Sequence, residues 1–308
     1  MTIRGLVDTD TGQSQEYSVG VKPNILINTN GKNIINQREA TTVDHNAYGW
    51  DRWRAHSNNA NVRTLSQQDG AARLTATDMG TATSIFFYQD IENHAHYRGR
   101  TLTLSVRMRA SQTGNLLLAD KTGSSSRVDY TTPGEWATLK VTRTIVSDSD
   151  FIRCWARCQV LTSGDWVEFE WIKLEEGDHA TPYVIPDPAL ELKRCYRYFQ
   201  AYGGETGGGL YQGFIDMYNR ATNSTYGNFD FKAPMRAAPT VTISSPSHFC
   251  VQDKTDTHTL SALSLSNVTR TNAWAVGTTV GNPLVVGEKC LLESNNTTAA
   301  RIYLDAEI

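Results

Sequence analysis

The chain has 308 residues, enough for two cores of ordinary size rather than one. Its 29 Lys and Arg against 32 Asp and Glu leave a formal charge of -3, which gives no long-range field toward nucleic acid or an anionic membrane. Only 20% of residues are charged, and Thr, Ser, Asn and Gly fill many polar positions, as suits exposed strands and turns rather than helices.

No apolar run approaches the length needed to cross a bilayer, and Met1 to Gly12 lacks the apolar core of a secretion signal, so a cytosolic start is expected. Residues 1–22 are polar, carry Gly5, Gly12 and Gly20, and have no sustained periodicity. They read as an extended arm that needs a partner to order it.

From Pro23 the pattern becomes that of strands. Thr101 to Met108 alternates, with Leu102, Leu104, Val106 and Met108 on one face. The same period places Ile152, Cys154, Ala156, Cys158 and Val160 inward, and likewise Val167, Phe169 and Trp171. Turns such as Thr132-Pro133-Gly134 and Thr162-Ser163-Gly164-Asp165 separate the strands. Short strands at regular spacing without helices predict a β-sandwich of jelly-roll type over residues 23–186.

Asp187-Pro188 has the form of an N-cap followed by proline at the first helical position, and predicts a short helical connector over 187–200. Leu192, Cys195, Tyr196 and Phe199 fall on one face of it and need a surface to pack on, which predicts a homotrimer. Residues 201–308 read as a smaller C-terminal β-sandwich, ending on a strand where Ile302, Leu304, Ala306 and Ile308 face inward. The expected fold class is therefore all-β.

Five cysteines at irregular positions (Cys154, Cys158, Cys195, Cys250 and Cys290) argue against a disulfide framework. On one strand, Cys154 and Cys158 would stand roughly 13 Å apart, beyond bridging distance. His94 and His96 would share a face if extended, but no third metal ligand is evident. Asp148/Asp150 and Glu175/Glu176 with Asp178 have oxygens suited to calcium, and solvated turn carboxylates are the commoner explanation. No cofactor or metal is expected. The sequence has no GxSxG elbow, HExxH pair, P-loop or dinucleotide fingerprint, and the glycines at 203, 204 and 207–209 lack the lysine of a phosphate cradle.

Four stretches together resemble bacteriophage tail-fibre and related virion proteins. They are Asn24-Ile25-Leu26-Ile27-Asn28-Thr29-Asn30 with Gln37-Arg38 and Asp51-Arg52-Trp53; Lys173 to Gly177 with Ala180-Thr181-Pro182-Tyr183; Glu191-Leu192 with Cys195, Arg197, Tyr198 and Phe199; and Phe231 with Pro234 to Val241, followed by the ending Leu304 to Ile308. The resemblance implies a jelly-roll module joined to a C-terminal β domain, often trimeric, at a place on the virion that meets the host surface. It departs from the usual fibre plan at the N-terminus, where only the short arm is available to attach to other virion proteins. Asp51-Arg52-Trp53 offers an ion pair beside a core aromatic, and Pro234 and Pro239 bracket a rigid bend.

Once the inward set of the strand Phe151 to Val160 is assigned, Arg153, Trp155 and Arg157 stand on the opposite face. A tryptophan between two arginines suits a sugar ring stacked on the indole, with guanidinium groups bonding its hydroxyls or acidic substituents. Burial of this face by a neighbouring strand, domain or subunit is the competing and commoner reading. Tyr198, Tyr202, Tyr211 and Tyr218 form a second aromatic group that lines either a groove on the C-terminal domain or its core. The sequence thus predicts a non-enzymatic virion protein that contacts host-surface polysaccharide through Arg153, Trp155, Arg157, Tyr202 and Tyr211. A head-decoration or collar protein and a polysaccharide-degrading enzyme are the alternatives.

Overall fold

The computed structural model describes residues 4–7, 14–16, 20–57, 63–78, 80–121, 124–160, 162–204, 211–254, 256–281 and 283–308. The chain divides into two compact units, Met1–Pro188 and Ala189–Ile308, and is all-β apart from one α-helix and short 3-10 turns among the described residues.

In the first unit, β1 (Arg4–Val7) pairs antiparallel with β2 (Ser14–Glu16). Within the expected arm, residues 4–7 and 14–16 thus pair with each other. The strands that follow are β3 (Thr42–Val43), β4 (Ala47–Tyr48), β5 (Arg54–Ser57), β6 (Arg63–Gln68), β7 (Ala71–Ala76), β8 (Ser84–Asp90), β9 (Thr101–Ala110), β10 (Gly114–Lys121), β11 (Ser124–Tyr130), β12 (Ala137–Thr144), β13 (Arg153–Gln159) and β14 (Trp166–Glu176). They form two six-stranded antiparallel sheets, β11-β10-β13-β8-β5-β4 and β12-β9-β14-β7-β6-β3, with one apolar core built from both.

The alternation predicted for β9 and β13 holds. Leu102, Leu104, Val106 and Met108 are buried in the same core as Ile152, Cys154, Ala156, Cys158 and Val160. At the core's centre Trp53 meets Phe87 edge-on at 5.6 Å, and Phe87 lies 4.9 Å from Phe169. Removing one such ring costs about 3–5 kcal/mol. Trp171 departs from expectation. The register of β14 against β9 slips between Phe169 and Trp171, so this bulge puts Ile172 and Leu174 in the core and turns Trp171 out onto Tyr183.

The resembling stretches build hydrogen-bonded anchors. Asn28, with φ of 61°, donates from Nδ2 to Ile35 O and Asp51 O, accepts from Ile35 N through Oδ1 at 2.7 Å, and offers its own carbonyl to Trp53 Nε1 at 2.7 Å. Asp51 accepts from Gln37 N and is paired with Arg38, while Arg52 donates to Asp90 O. In the second stretch Lys173 is buried and donates to Thr181 Oγ1 at 2.6 Å, and Glu175 accepts from Thr181 N at 2.7 Å. These charges fix a loop rather than perform chemistry.

In the second unit, α1 (Pro188–Tyr196) begins at the proline, as the Asp187-Pro188 pair predicts, but ends a turn early. Phe199 opens β15 (Phe199–Tyr202), because β23 (Ile302–Asp305) supplies backbone partners that a further helical turn would forfeit. Of the predicted stripe, Cys195 and Phe199 are buried and Leu192 and Tyr196 half-buried, and Glu191 is buried as well. Glu191 is held by Arg194 at 2.9 Å. The remaining strands are β16 (Gly213–Ala221), β17 (Ser224–Asp230), β18 (Thr240–Ile243), β19 (Phe249–Gln252), β20 (Thr257–Ser266), β21 (Asn272–Thr279) and β22 (Lys289–Ser294). Rather than an open sandwich, β16-β17-β21-β20-β19-β22 close into a barrel, accompanied by the three-stranded sheet β15-β23-β18. Ile302, Leu304 and Ala306 face its core as predicted. Met235, between the two prolines, is buried there, and its N–H donates to Arg270 O at 2.7 Å.

Candidate functional site

The outer face of the sheet containing β13 gathers the first three predicted site residues. Antiparallel register places side chains in rows across the strands. One row runs Asp129, Asn115, Arg157, Phe86, His56 across β11, β10, β13, β8 and β5. The next runs Arg127, Leu117, Trp155, Tyr88, Arg54, Tyr48. β10 approaches β13 closely because Gly114 has no side chain, and a Cβ there would lie 2.0 Å from Arg157 O.

The rings stack along the sheet. His56 lies on Phe86 at 4.5 Å, and Phe86 on Trp155 at 4.9 Å with planes 8° apart. Trp155 is partly buried, and one of its faces belongs to Phe86. Arg153 is held by Asp90 through two bonds, Nε to Oδ1 at 2.6 Å and Nη2 to Oδ2 at 2.8 Å, and stands 4.2 Å over the Tyr88 ring. Tyr88 donates to Asn46 and Arg54 donates to Tyr88, which fixes that end of the row.

Four polar atoms on this face have no hydrogen-bond partner among the described residues while being shielded from solvent: His56 Nδ1, Asn115 Oδ1, Trp155 Nε1 and Arg157 Nε. Leaving a buried donor or acceptor unpaired costs about 1–3 kcal/mol each, so a concentration of them on one face marks a place that a hydroxyl or water completes. Burial and the charges of His45, Arg63 and Arg153 hold the His56 imidazole down at about 4, hence neutral at pH 7. Four arginines (Arg54, Arg127, Arg153 and Arg157) stand in or beside these rows against Asp90 and Asp129, so the face favours anionic groups.

The other two predicted residues, Tyr202 and Tyr211, belong to the second unit. Tyr202 donates to Gln200 Oε1 at 2.8 Å, accepts from Lys232 N at 2.9 Å and packs edge-on against Phe229. Burial raises its phenol. Tyr202 is half-buried with its hydroxyl engaged, and Tyr198 is buried. Tyr211 and Tyr218 are exposed, so the four tyrosines do not form one groove. Gly203 and Gly204 both have positive φ, whereas residues 207–209 lie outside the described residues.

Several of the candidate metal ligands are otherwise engaged. His94 and His96 lie in a 3-10 turn, not an extended segment. Asp148 pairs with Lys121, Glu176 with Arg100, and Asp178 with His179. Among the described residues, no group of three or more His, Cys, Asp or Glu is placed to hold a metal, and no helix is long and apolar enough to cross a membrane.

Sequence reasoning missed a cleft of about 800 Å³ in the first unit, lined in part by Asn30, Lys32, Asp69, Glu170, Trp171 and Tyr183. It exists because the bulge in β14 turns Trp171 outward. Its polar groups are largely engaged: Glu170 is paired with Arg107 at 2.6 Å, and Asn30 caps the turn Gly31–Asn33. The sheet face, with its unpaired atoms, is the stronger candidate.

No family model matches the chain, and no curated protein matches it. Among the solved structures similar to it are several carbohydrate-binding modules, and also PfGH50B and a xylanase 10B structure of CBM22-1 and GH10 modules. One is a CBM4 protein, with 19% identity over 47% of this chain and 94% of that one and a TM-score of 0.32. TmCBM61 in complex with β-1,4-galactotriose matches at 15% identity over 50% and 99%, with a TM-score of 0.30. A family 29 carbohydrate-binding module matches at 15% identity over 44% and 86%, with a TM-score of 0.27.

Proposed function

We propose that this protein binds host-surface polysaccharide without cleaving it, through the outer face of β10, β13, β8 and β5. In this account it serves as a tail-fibre or receptor-binding component of a phage particle, as a homotrimer assembled in the host cytoplasm. The observation that carries the binding role is the set of unpaired polar atoms at His56, Asn115, Trp155 and Arg157 beside three stacked rings. Donors and acceptors mixed on an aromatic surface suit a ligand whose hydroxyls both donate and accept and whose C–H faces are apolar. The arginine excess makes an acidic polysaccharide the favoured class.

Glycoside hydrolysis needs two carboxyl groups flanking the bond. On this face Asp90 has both oxygens committed to Arg153, and Asp129 is paired with Arg127 at 3.6 Å, which supports binding rather than cleavage. The virion role rests on the four resembling stretches. Titration of the purified protein with host capsular polysaccharide, alongside an assay for new reducing ends, tests the reading. Saturable binding without new ends supports it, and release of ends refutes the non-enzymatic part. Immunogold labelling of intact particles decides between a tail fibre and a head or collar position.

A further inference from the structure

The barrel of the second unit has its own aromatic surface. Tyr218 on β16 and Tyr226 on β17 are register partners, and Trp274 on β21 pairs with Asn228, two residues along from Tyr226 on the same face. Tyr226 lies 5.3 Å from Trp274 and 6.3 Å from Tyr218. Folding does not account for these rings, because Met217, Phe229 and Ala275 on the inner side of the same strands fill the core. Trp274 is 40% and Tyr218 43% exposed. Three neighbouring aromatics left partly open on one face form the kind of contiguous patch that marks a ligand or partner site.

The rings bound a groove of about 580 Å³, within the range of small-molecule sites, and Asp216, Asn228 and Asp230 also line it. Asp230 Oδ1 accepts from Asn228 at 2.6 Å. Lys289 lies outside the lining, with its ammonium 5.8 Å from the Tyr218 ring. Protein interfaces are depleted of charge at their centres, and two copies meeting here would bring like carboxylates together, so a second copy is a poor occupant.

We propose that this groove is a second saccharide site, independent of the sandwich face, that takes an amine-bearing saccharide in preference to an acidic one. Trp274 and Tyr218 cover the C–H faces of the sugar rings, while Asp216 and Asp230 accept from ammonium and hydroxyl groups. The two faces thus select opposite ligand charges.

The test is a titration of the full, 15N-labelled chain with chitosan hexaose, cellohexaose and oligogalacturonate, following the tryptophan indole N–H signals. Chitosan hexaose is expected to move the Trp274 signal and leave Trp155 in place. Cellohexaose should do so more weakly, and oligogalacturonate not at all. Trp274→Ala should weaken chitosan hexaose at least fivefold with the melting temperature nearly unchanged, and Asp216→Asn should weaken chitosan hexaose more than cellohexaose. A Trp274 signal unmoved by both neutral and amine-bearing probes overturns the proposal, even if Trp155 responds and the sandwich-face reading stands. A change in molar mass with Trp274→Ala also overturns it, assigning the groove to self-association.

Discussion

Trp155 and Phe86 lie face to face, with ring centroids 4.9 Å apart and planes inclined by 8°. Their strands are adjacent, and Phe86 pairs with Arg157, one step along β13 on the same face, so the two rings meet on a diagonal. This contact gives Trp155 a share in stability as well as in binding. Trp155→Ala is expected to lower stability by about 1–2 kcal/mol, the aromatic pair plus some lost burial, measured by denaturant unfolding. An unchanged unfolding midpoint would mean that the stack contributes nothing.

The His56 imidazole gives the first unit a defined pH dependence. Its folded value of about 4 lies below the ordinary 6.5 because burial and the nearby His45, Arg63 and Arg153 disfavour the charged form. Between these values the unfolded chain binds the proton and the folded chain does not, so stability falls as pH drops from about 6.5 toward 4. His56→Gln should flatten this part of the melting temperature profile relative to the parent. Parallel profiles would contradict the assignment.

Asn28 ties three segments together through its side chain and carbonyl, with a positive φ that asparagine tolerates better than most residues. Asn28→Ala should cost about 2–4 kcal/mol, since it leaves the Ile35 and Asp51 groups without their partner in the interior. Urea unfolding followed by tryptophan fluorescence measures it, and a loss below 1 kcal/mol would contradict the anchoring role.

All five cysteines are buried thiols without disulfides, and burial pushes Cys158 up to about 11 and both Cys250 and Cys290 up to about 12. Alkylation at pH 8 should therefore be slow in the folded protein and reach five adducts after denaturation without reductant. A stoichiometric disulfide in the mass spectrum would refute this.

Much of the fold is legible in the sequence where burial is one-sided. The alternation around Leu102 to Met108 and Ile152 to Val160 assigns faces correctly because a single core lies behind each strand. Period counting fails at Trp171, where a bulge adds a residue with no local signature, and at Phe199, where a distant strand offers better backbone pairing than the helix. The site is legible in part. Arg153, Trp155 and Arg157 follow from alternation on one strand, but Phe86, His56 and Asn115 join them only through pairing between distant strands. The bonds of the Tyr202 hydroxyl to Gln200 and, in a distant segment, to Lys232 have no signature in the sequence.

Arg157 carries the central claim most directly, since its Nε atom has no hydrogen-bond partner among the described residues and its side chain stands in the row with His56 and Asn115. The measurement is calorimetric titration of host capsular polysaccharide, or of oligogalacturonate as a defined acidic probe, into the parent and Arg157→Ala. Loss of a charge-assisted contact worth about 1.5–3 kcal/mol predicts at least a tenfold weaker affinity in the variant, with folding preserved. Equal affinity of the two proteins for the polysaccharide, or absence of binding by the parent, would contradict the account.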